Sequence, residues 1–290
     1  MSVSQTVRTA DWLGACRRAA EAIRAQLDAP QTRSQRLAET GTIGGGGDRT
    51  LVLDAAAEDV VFAELDRLHA DGLAFVAVSE ERGEIPFGAD PGEPHVRVVI
   101  DPIDGSLNAK RGLPHHALSI AVADGPTMAD VAFGYVYDFG PAEEWSAWRG
   151  EGACLDGVPL REKPAERRSA DGRLEMLAVE SADPRHLHRA GDMADVARRL
   201  RVLGAIAVSL CQVAAGRVDG MASLWRCRAV DAAAAQLIVR EAGGLVAFPA
   251  FDDPLGAPLD LEPHSPVVAA LSEEALAQLS VVPVPMVPPR

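Results

Sequence analysis

The densest group of reactive side chains lies in Val98-Val99-Ile100-Asp101-Pro102-Ile103-Asp104-Gly105-Ser106-Leu107-Asn108, where a β-branched apolar run delivers two carboxylates, a glycine and a hydroxyl into one short stretch. Such runs form buried strands, and Pro102 predicts a turn that ends this one after Asp101. Both aspartates are then expected at a strand's carboxyl end, where α/β sheets bind ligands. Carboxylate oxygens are hard donors suited to Mg²⁺ or Mn²⁺. Gly105 would let a phosphate approach the backbone, and Ser106 could orient a water. An isolated Asp-x-x-Asp-Gly-Ser is equally an Asx-type turn with a glycine, so the chemistry depends on what accompanies it.

It is accompanied by Asp48 and Asp54 upstream, by Glu80 and Glu81 in Val78-Ser79-Glu80-Glu81-Arg82-Gly83, and by Asp231 in Arg228-Ala229-Val230-Asp231-Ala232-Ala233. Taken together the set resembles the inositol monophosphatase superfamily of Mg²⁺-dependent phosphatases. Its signatures are an aspartate opening a helix, Glu-Glu after a strand, Asp-Pro-Ile-Asp-Gly-Thr/Ser-x-Asn, and a late aspartate ten residues before Glu-Ala-Gly-Gly. Asp231 and Glu241-Ala242-Gly243-Gly244 have that spacing. The resemblance runs from about residue 40 to residue 250. Ser106, the loop Gly44-Gly45-Gly46-Gly47-Asp48 and Arg-Ala-Val-Asp in place of Trp-Asp make the chain most similar to the archaeal-type branch, which combines fructose-1,6-bisphosphatase and inositol-1-phosphatase activities.

The resemblance implies a layered αβαβα sandwich of α/β or α+β class, in two subdomains with a metal site between them. It implies that Glu80, Asp101 and the Ile103 carbonyl hold one Mg²⁺ and that Asp101, Asp104 and Asp231 hold a second, with Mn²⁺ able to substitute. Asp54 is expected to hydrogen-bond Ser106, and that pair with Glu80 to orient the attacking water. Asp48, on a glycine flap, would position water or a third metal. Gly105 and Ser106 would bind the phosphate, and Gly204 and Ala205 the sugar. Relatives carry a sugar-contacting glutamate or arginine seven residues before the late aspartate, but here that position is Leu224; Arg201 and Arg226 are the candidates for a second phosphate. Relatives also act on 3′-phosphoadenosine 5′-phosphate, histidinol phosphate and NADP, and a non-catalytic phosphometabolite-binding protein is the alternative of another class. Each residue also has a plainer role: Asp231 and Asp54 as helix caps, Glu81 as a solvated carboxylate, His115 and His116 in packing.

Composition bounds the rest. The 290 residues carry 42 acidic and 28 basic side chains, a net charge of −14, with Lys110 and Lys163 the only lysines. That balance argues against a nucleic-acid footprint, which needs clustered Lys and Arg. A small phosphorylated metabolite is the expected partner, and a cation would localise positive potential within an acidic protein. No apolar run reaches the roughly 20 residues that span a bilayer, so a cytoplasmic protein is expected; a homodimer is also expected. Cys16, Cys154, Cys211 and Cys227 lie far apart, which suggests reduced core residues rather than a zinc site.

To position the site residues, the sequence predicts a helix over 11–28, an irregular mobile loop over 31–48, and a helix from Asp54 to about His69. Strands are expected at 75–79, 96–100, 117–122, 131–137 and 144–148. A charged linker over 161–173 divides an N-terminal subdomain, 1–160, from a C-terminal one, 161–290. The latter should hold a strand at 174–179, helices at 189–200 and 206–215, a strand at 219–224, and a helix capped by Asp231.

Overall fold

Apolar spacing decides where the helices lie. The computed structural model describes residues 7–30, 32, 37–46, 49–90, 92, 95–190 and 193–283. Helix α1 (Trp12–Asp28) starts where the Asp11 carboxylate accepts the Gly14 N–H, and it buries Trp12, Ala15, Cys16, Ala19, Ala20 and Ile23. Helix α2 (Val52–Ala70) buries Ala57, Val61, Leu65 and Leu68 along one stripe. Each large side chain so buried contributes about 1.5–3 kcal/mol. Both helices cover one face of an eight-stranded sheet, around Phe75, Ile100, Leu118 and Phe133.

That sheet runs β10-β9-β8-β7-β6-β5-β3-β4. Its strands are β3 (Phe75–Ser79), β4 (Gly83–Phe87), β5 (Val96–Asp104), β6 (Ala117–Ala123), β7 (Val131–Asp138), β8 (Glu143–Trp148), β9 (Gly152–Leu155) and β10 (Val158–Pro159). Among the described residues of this sheet, only β3 and β5 pair in parallel. The short helix α3 (Ser106–Arg111) follows β5. A five-stranded sheet is ordered β12-β11-β13-β15-β14, from β11 (Leu177–Glu180), β12 (Leu200–Arg201), β13 (Gly220–Ser223), β14 (Leu245–Ala247) and β15 (Val268–Ala270).

Between the sheets lie α6 (Ile206–Ala214) and α7 (Ala229–Glu241), whose side chains are buried almost all round. A helix apolar on every side belongs in the interior, and one core cluster joins Val99, Ala121, Val136 and Trp145 of the large sheet to Met221 and Ala269 of the small one through these helices. The outer face of the small sheet, with Leu177, Val179 and Val268, is covered by α8 (Glu273–Ser280). The order is therefore helix, sheet, helix, sheet, helix, the αβαβα sandwich expected.

Four local expectations are corrected. The 31–48 stretch includes strand β1 (Glu39–Ile43), paired antiparallel with β2 (Arg49–Leu51); β1 is wholly exposed, so no apolar alternation announces it. Strand β5 does not stop at Pro102 but continues to Asp104 through an irregularity in its pairing with β6, the kind of position where a strand tolerates proline. The predicted 189–200 helix is instead α4 (Pro184–Arg189), α5 (Met193–Val196) and β12, because Asp183 starts a helix earlier by accepting the Arg185 N–H. Helix α7 begins at Ala229, so Asp231 lies in its first turn rather than at its cap. Cys16, Cys211 and Cys227 are buried and Cys154 partly so, all free thiols.

Candidate active site

Strand register brings the first two carboxylates together. β3 and β5 run parallel with Ser79 opposite Ile100, and the Glu80 N–H donates to the Ile100 carbonyl at 3.3 Å. Glu80, just after β3, and Asp101, toward the carboxyl end of β5, therefore emerge side by side. Asp101 is 2 % exposed, and its Oδ1 accepts the Ile103 N–H at 2.9 Å, fixing the backbone past Pro102. Ile103 is buried between the two aspartates.

Asp104 bridges the layers. Its Oδ1 accepts the Ile206 N–H at 3.3 Å and its Oδ2 the Ala207 N–H at 2.7 Å, so the carboxylate caps the donor-rich start of α6. Asp231 Oδ2 accepts the Arg228 backbone N–H at 2.8 Å, which orients it from the first turn of α7. Burial pushes the Asp101 and Asp104 carboxyls well above the ordinary range; the negative charges of Glu80, Asp104 and Asp231 add to the effect at Asp101, and that of Asp231 at Asp104. Glu80 rises to about 7 through burial and the charges of Asp231 and Glu81, against the opposing pull of Arg228.

Gly105, with φ of 82°, turns the chain from β5 into α3. A Cβ there would lie 2.9 Å from the His115 carbonyl and 3.0 Å from that of Gly204, so this turn packs directly on the Gly204-Ala205 turn and only glycine fits. Ser106 is the first residue of α3. Asp54 is buried in the first turn of α2 and is pushed to about 7 by burial and by Glu81 and Glu80. Its expected hydrogen bond to Ser106 is not formed: Oδ1 is buried without a partner among the described residues. Asp48 lies outside the described residues, but the glycine loop before it reaches the site, with the Gly46 N–H bonded to the Glu80 carbonyl at 2.6 Å and the Gly45 N–H to that of Glu81 at 2.9 Å.

Asp104, Glu180, Gly204, Ala205, Arg228 and Asp231 line a cavity of about 370 Å³. Arg201 and Arg226 do not: the Arg201 Nη1 donates to the Leu200 carbonyl at 2.8 Å, and Arg226 is exposed, 5.4 Å from the ring centre of Trp225. Leu224 is fully buried beneath the small sheet's outer layer.

Two cavity residues go unmarked in the sequence reading. Glu180, at the end of β11, is 2 % exposed; it accepts from the Leu203 N–H at 3.0 Å, the Gly204 N–H at 3.0 Å and the Ser209 hydroxyl at 2.6 Å, and so holds the Gly204 turn. Arg228 places Nη2 2.7 Å from Glu80 Oε1 and 3.5 Å from Asp231 Oδ1. A basic residue three before Asp231 on the same helix end was the only available signal. His115 pairs through Nδ1 with the buried Asp138 at 3.2 Å, a supporting contact behind Gly105.

The donor chemistry fits a hard divalent cation, since Glu80, Asp101, Asp104 and Asp231 offer only carboxylate oxygen and repel one another. Among the described residues no three His, Cys, Asp or Glu side chains already converge as a metal cage, and the Arg228 guanidinium lies among the same carboxylate oxygens.

The chain is similar to proteins of one family along nearly its whole length. The pattern of the inositol monophosphatase family matches residues 5–282. A fructose-1,6-bisphosphatase/inositol-1-monophosphatase of Methanothermobacter thermautotrophicus is 31% identical over 242 residues, covering 81% of this chain and 83% of its own. Nus factor SuhB of Escherichia coli (strain K12) is 36% identical over 207 residues, 70% of this chain and 72% of that one. A crystal structure of an inositol monophosphatase-fructose 1,6 bisphosphatase superposes with a TM-score of 0.75 at 26% identity, covering 94% of this chain and 100% of the other.

Proposed function

Because the chain belongs to the inositol monophosphatase family and is a phosphatase, we propose that it hydrolyses small sugar or cyclitol phosphomonoesters, fructose 1,6-bisphosphate and inositol 1-phosphate among them, with Mg²⁺ at the carboxylate cluster. The observation that supports this reading is the mutual proximity of Glu80, just after β3, Asp101 and Asp104 of β5, and Asp231 of α7, with Asp104 and Asp231 lining the cavity beside the Gly204-Ala205 turn.

In this reading Glu80, Asp101, the Ile103 carbonyl, Asp104 and Asp231 hold the cations. Bound there, Mg²⁺ supplies Lewis acidity toward the attacking water and the leaving oxygen of an in-line displacement. The chain's own part is orientation and proton handling. Asp54, lifted to about 7, is poised to take a proton near neutral pH, while Glu80 and the Ser106 hydroxyl orient the water toward phosphorus. The backbone N–H groups of Gly105 and Ser106 face the phosphate. The Gly204-Ala205 turn, held by Glu180, receives the alcohol portion. We further propose a homodimer working in the cytoplasm with its site between the two halves of the chain; among the described residues no helix is long and apolar enough to cross a membrane.

A non-catalytic phosphometabolite-binding role is the weaker reading, since every carboxylate the chemistry needs is retained. Phosphate release from fructose 1,6-bisphosphate, inositol 1-phosphate, 3′-phosphoadenosine 5′-phosphate, histidinol phosphate and NADP, with Mg²⁺ and after exhaustive chelation, tests the proposal. Metal-dependent release from the first two supports it. Full turnover after chelation, or exclusive use of an adenosine phosphate, overturns it.

A further inference from the structure

We infer that Arg228 is a built-in surrogate cation, which neutralises the carboxylate cluster in the metal-free protein and competes with divalent metal for it. The inference rests on the reading of that cluster as a metal site. Two contacts carry it. Arg228 Nη2 is 2.7 Å from Glu80 Oε1, on the loop after β3, and 3.5 Å from Asp231 Oδ1, on α7, so one guanidinium spans two carboxylates contributed by different layers of the fold. A guanidinium suits this position because its planar fork presents donors in two directions at once. Its Nη1 meanwhile lies 3.4 Å from the Gly46 carbonyl of the glycine loop, which ties the loop to the same charge.

The electrostatics point the same way. Asp231 and Glu81 repel the charge on Glu80; Glu80, Asp104 and Asp231 repel that on Asp101; and Arg228 opposes the repulsion at both. The side chain is 18% exposed and lines the 370 Å³ cavity, so it has room to swing away when cations enter. While it is in place, Glu80 Oε1 and Asp231 Oδ1 are directed at nitrogen. A cation claiming those oxygens must displace it, and that competition weakens metal binding while sparing the empty site from like-charge repulsion.

The test is Mn²⁺ titration of the full-length metal-free protein by calorimetry, with thermal unfolding in EDTA, for wild type, Arg228→Gln and Arg228→Lys. Arg228→Gln should melt lower in EDTA, yet bind Mn²⁺ roughly tenfold more tightly, the scale expected on removing a unit charge a few ångströms away in a partly solvated site. Arg228→Lys keeps the charge without the fork and should fall between the two; it also serves should Arg228→Gln fail to fold. Mn²⁺ binding unchanged or weakened in both variants overturns the surrogate-cation role and leaves the metal site standing. Failure of the wild type to bind Mn²⁺ at all overturns both.

Discussion

The Asn108 side-chain amide donates to the Leu203 carbonyl at 2.7 Å and to the His115 carbonyl at 2.9 Å. One side chain thus clamps the turn after β5, from its start at Gly105 to the loop before β6, onto the Gly204-Ala205 turn that follows β12. Asn108→Ala leaves two partly buried acceptors without their donor, at a cost of about 1–3 kcal/mol. A melting temperature lower by several degrees is expected by calorimetry, since 1 kcal/mol corresponds to roughly 2–4 °C in a chain of this size, together with a raised KM. An unchanged melting curve would show the clamp to be dispensable.

Gly134 sets how closely α7 approaches the large sheet. A Cβ there would lie 2.6 Å from the Ala234 carbonyl oxygen and 3.2 Å from its Cα, and these are backbone atoms of the helix that presents Asp231. Gly134→Ala should destabilise by about 1–3 kcal/mol through overpacking and lower kcat by moving Asp231, though the substitution is far from any substrate atom. Normal activity in a folded variant would mean that α7 shifts without cost to the site.

Asp54, Glu80 and Glu180 are each raised to about 7, chiefly by burial. The folded chain then holds protons that the unfolded chain has released above its ordinary carboxyl pKa near 4, so stability falls as pH rises from about 4.5 through 7. The metal-free protein is therefore expected to be more stable at pH 5 than at pH 8, by a few kcal/mol if the shifts act together. Mg²⁺ should shrink the difference. Urea melts in EDTA at the two pH values check the sign, and greater stability at pH 8 would contradict it.

Much of this site is legible in the chain, for identifiable reasons. Val96 to Ile100 and Phe75 to Ser79 are largely apolar runs followed by acidic residues, so the placement of Asp101 and Glu80 toward the carboxyl ends of their strands follows from period and length. Of the tryptophans at strand spacing on β8, Trp145 is fully buried and Trp148 only partly so. What escapes is set by pairing between distant segments. The Ser79–Ile100 register that puts Glu80 beside Asp101 leaves no local mark, and neither does the return of α7 onto β7, which carries Arg228 to Glu80. Glu180 looks like any acidic residue ending a strand; only its three donors from 203, 204 and 209 reveal its task. Arg201 and Arg226 have the guanidinium a second phosphate would need, but Arg201 donates to the Leu200 carbonyl and Arg226 lies against Trp225.

Asp101→Asn separates folding from function. Asp101 is raised by burial and by three neighbouring carboxylates, so its neutral isostere relieves repulsion in the metal-free state. The variant should melt at or above the wild-type temperature in EDTA, yet lose most of its stabilisation by Mg²⁺ and have a kcat reduced by about 10³ or more, as for loss of a group acting only in the transition state. A variant with near-normal kcat would remove Asp101 from the ligand set.

Substrate range follows from the residues that do not reach the cavity. Leu224 is buried in the core, and neither Arg201 nor Arg226 lines the space beside Gly204 and Ala205, so recognition is expected to depend on the phosphate end and the Gly204-Ala205 backbone. With no dedicated side chain for an inositol hydroxyl or a distal phosphate at position 224, fructose 1,6-bisphosphate and inositol 1-phosphate should be hydrolysed within about two orders of magnitude of each other in kcat/KM, because one charged contact is worth a few kcal/mol and tenfold about 1.4. Arg226→Ala, which removes a side chain resting on Trp225, should change either value by less than about threefold, a difference under 1 kcal/mol. A selective rise in KM for the bisphosphate would instead mean that Arg226 turns inward when substrate is bound, and would restore it as the distal-phosphate contact.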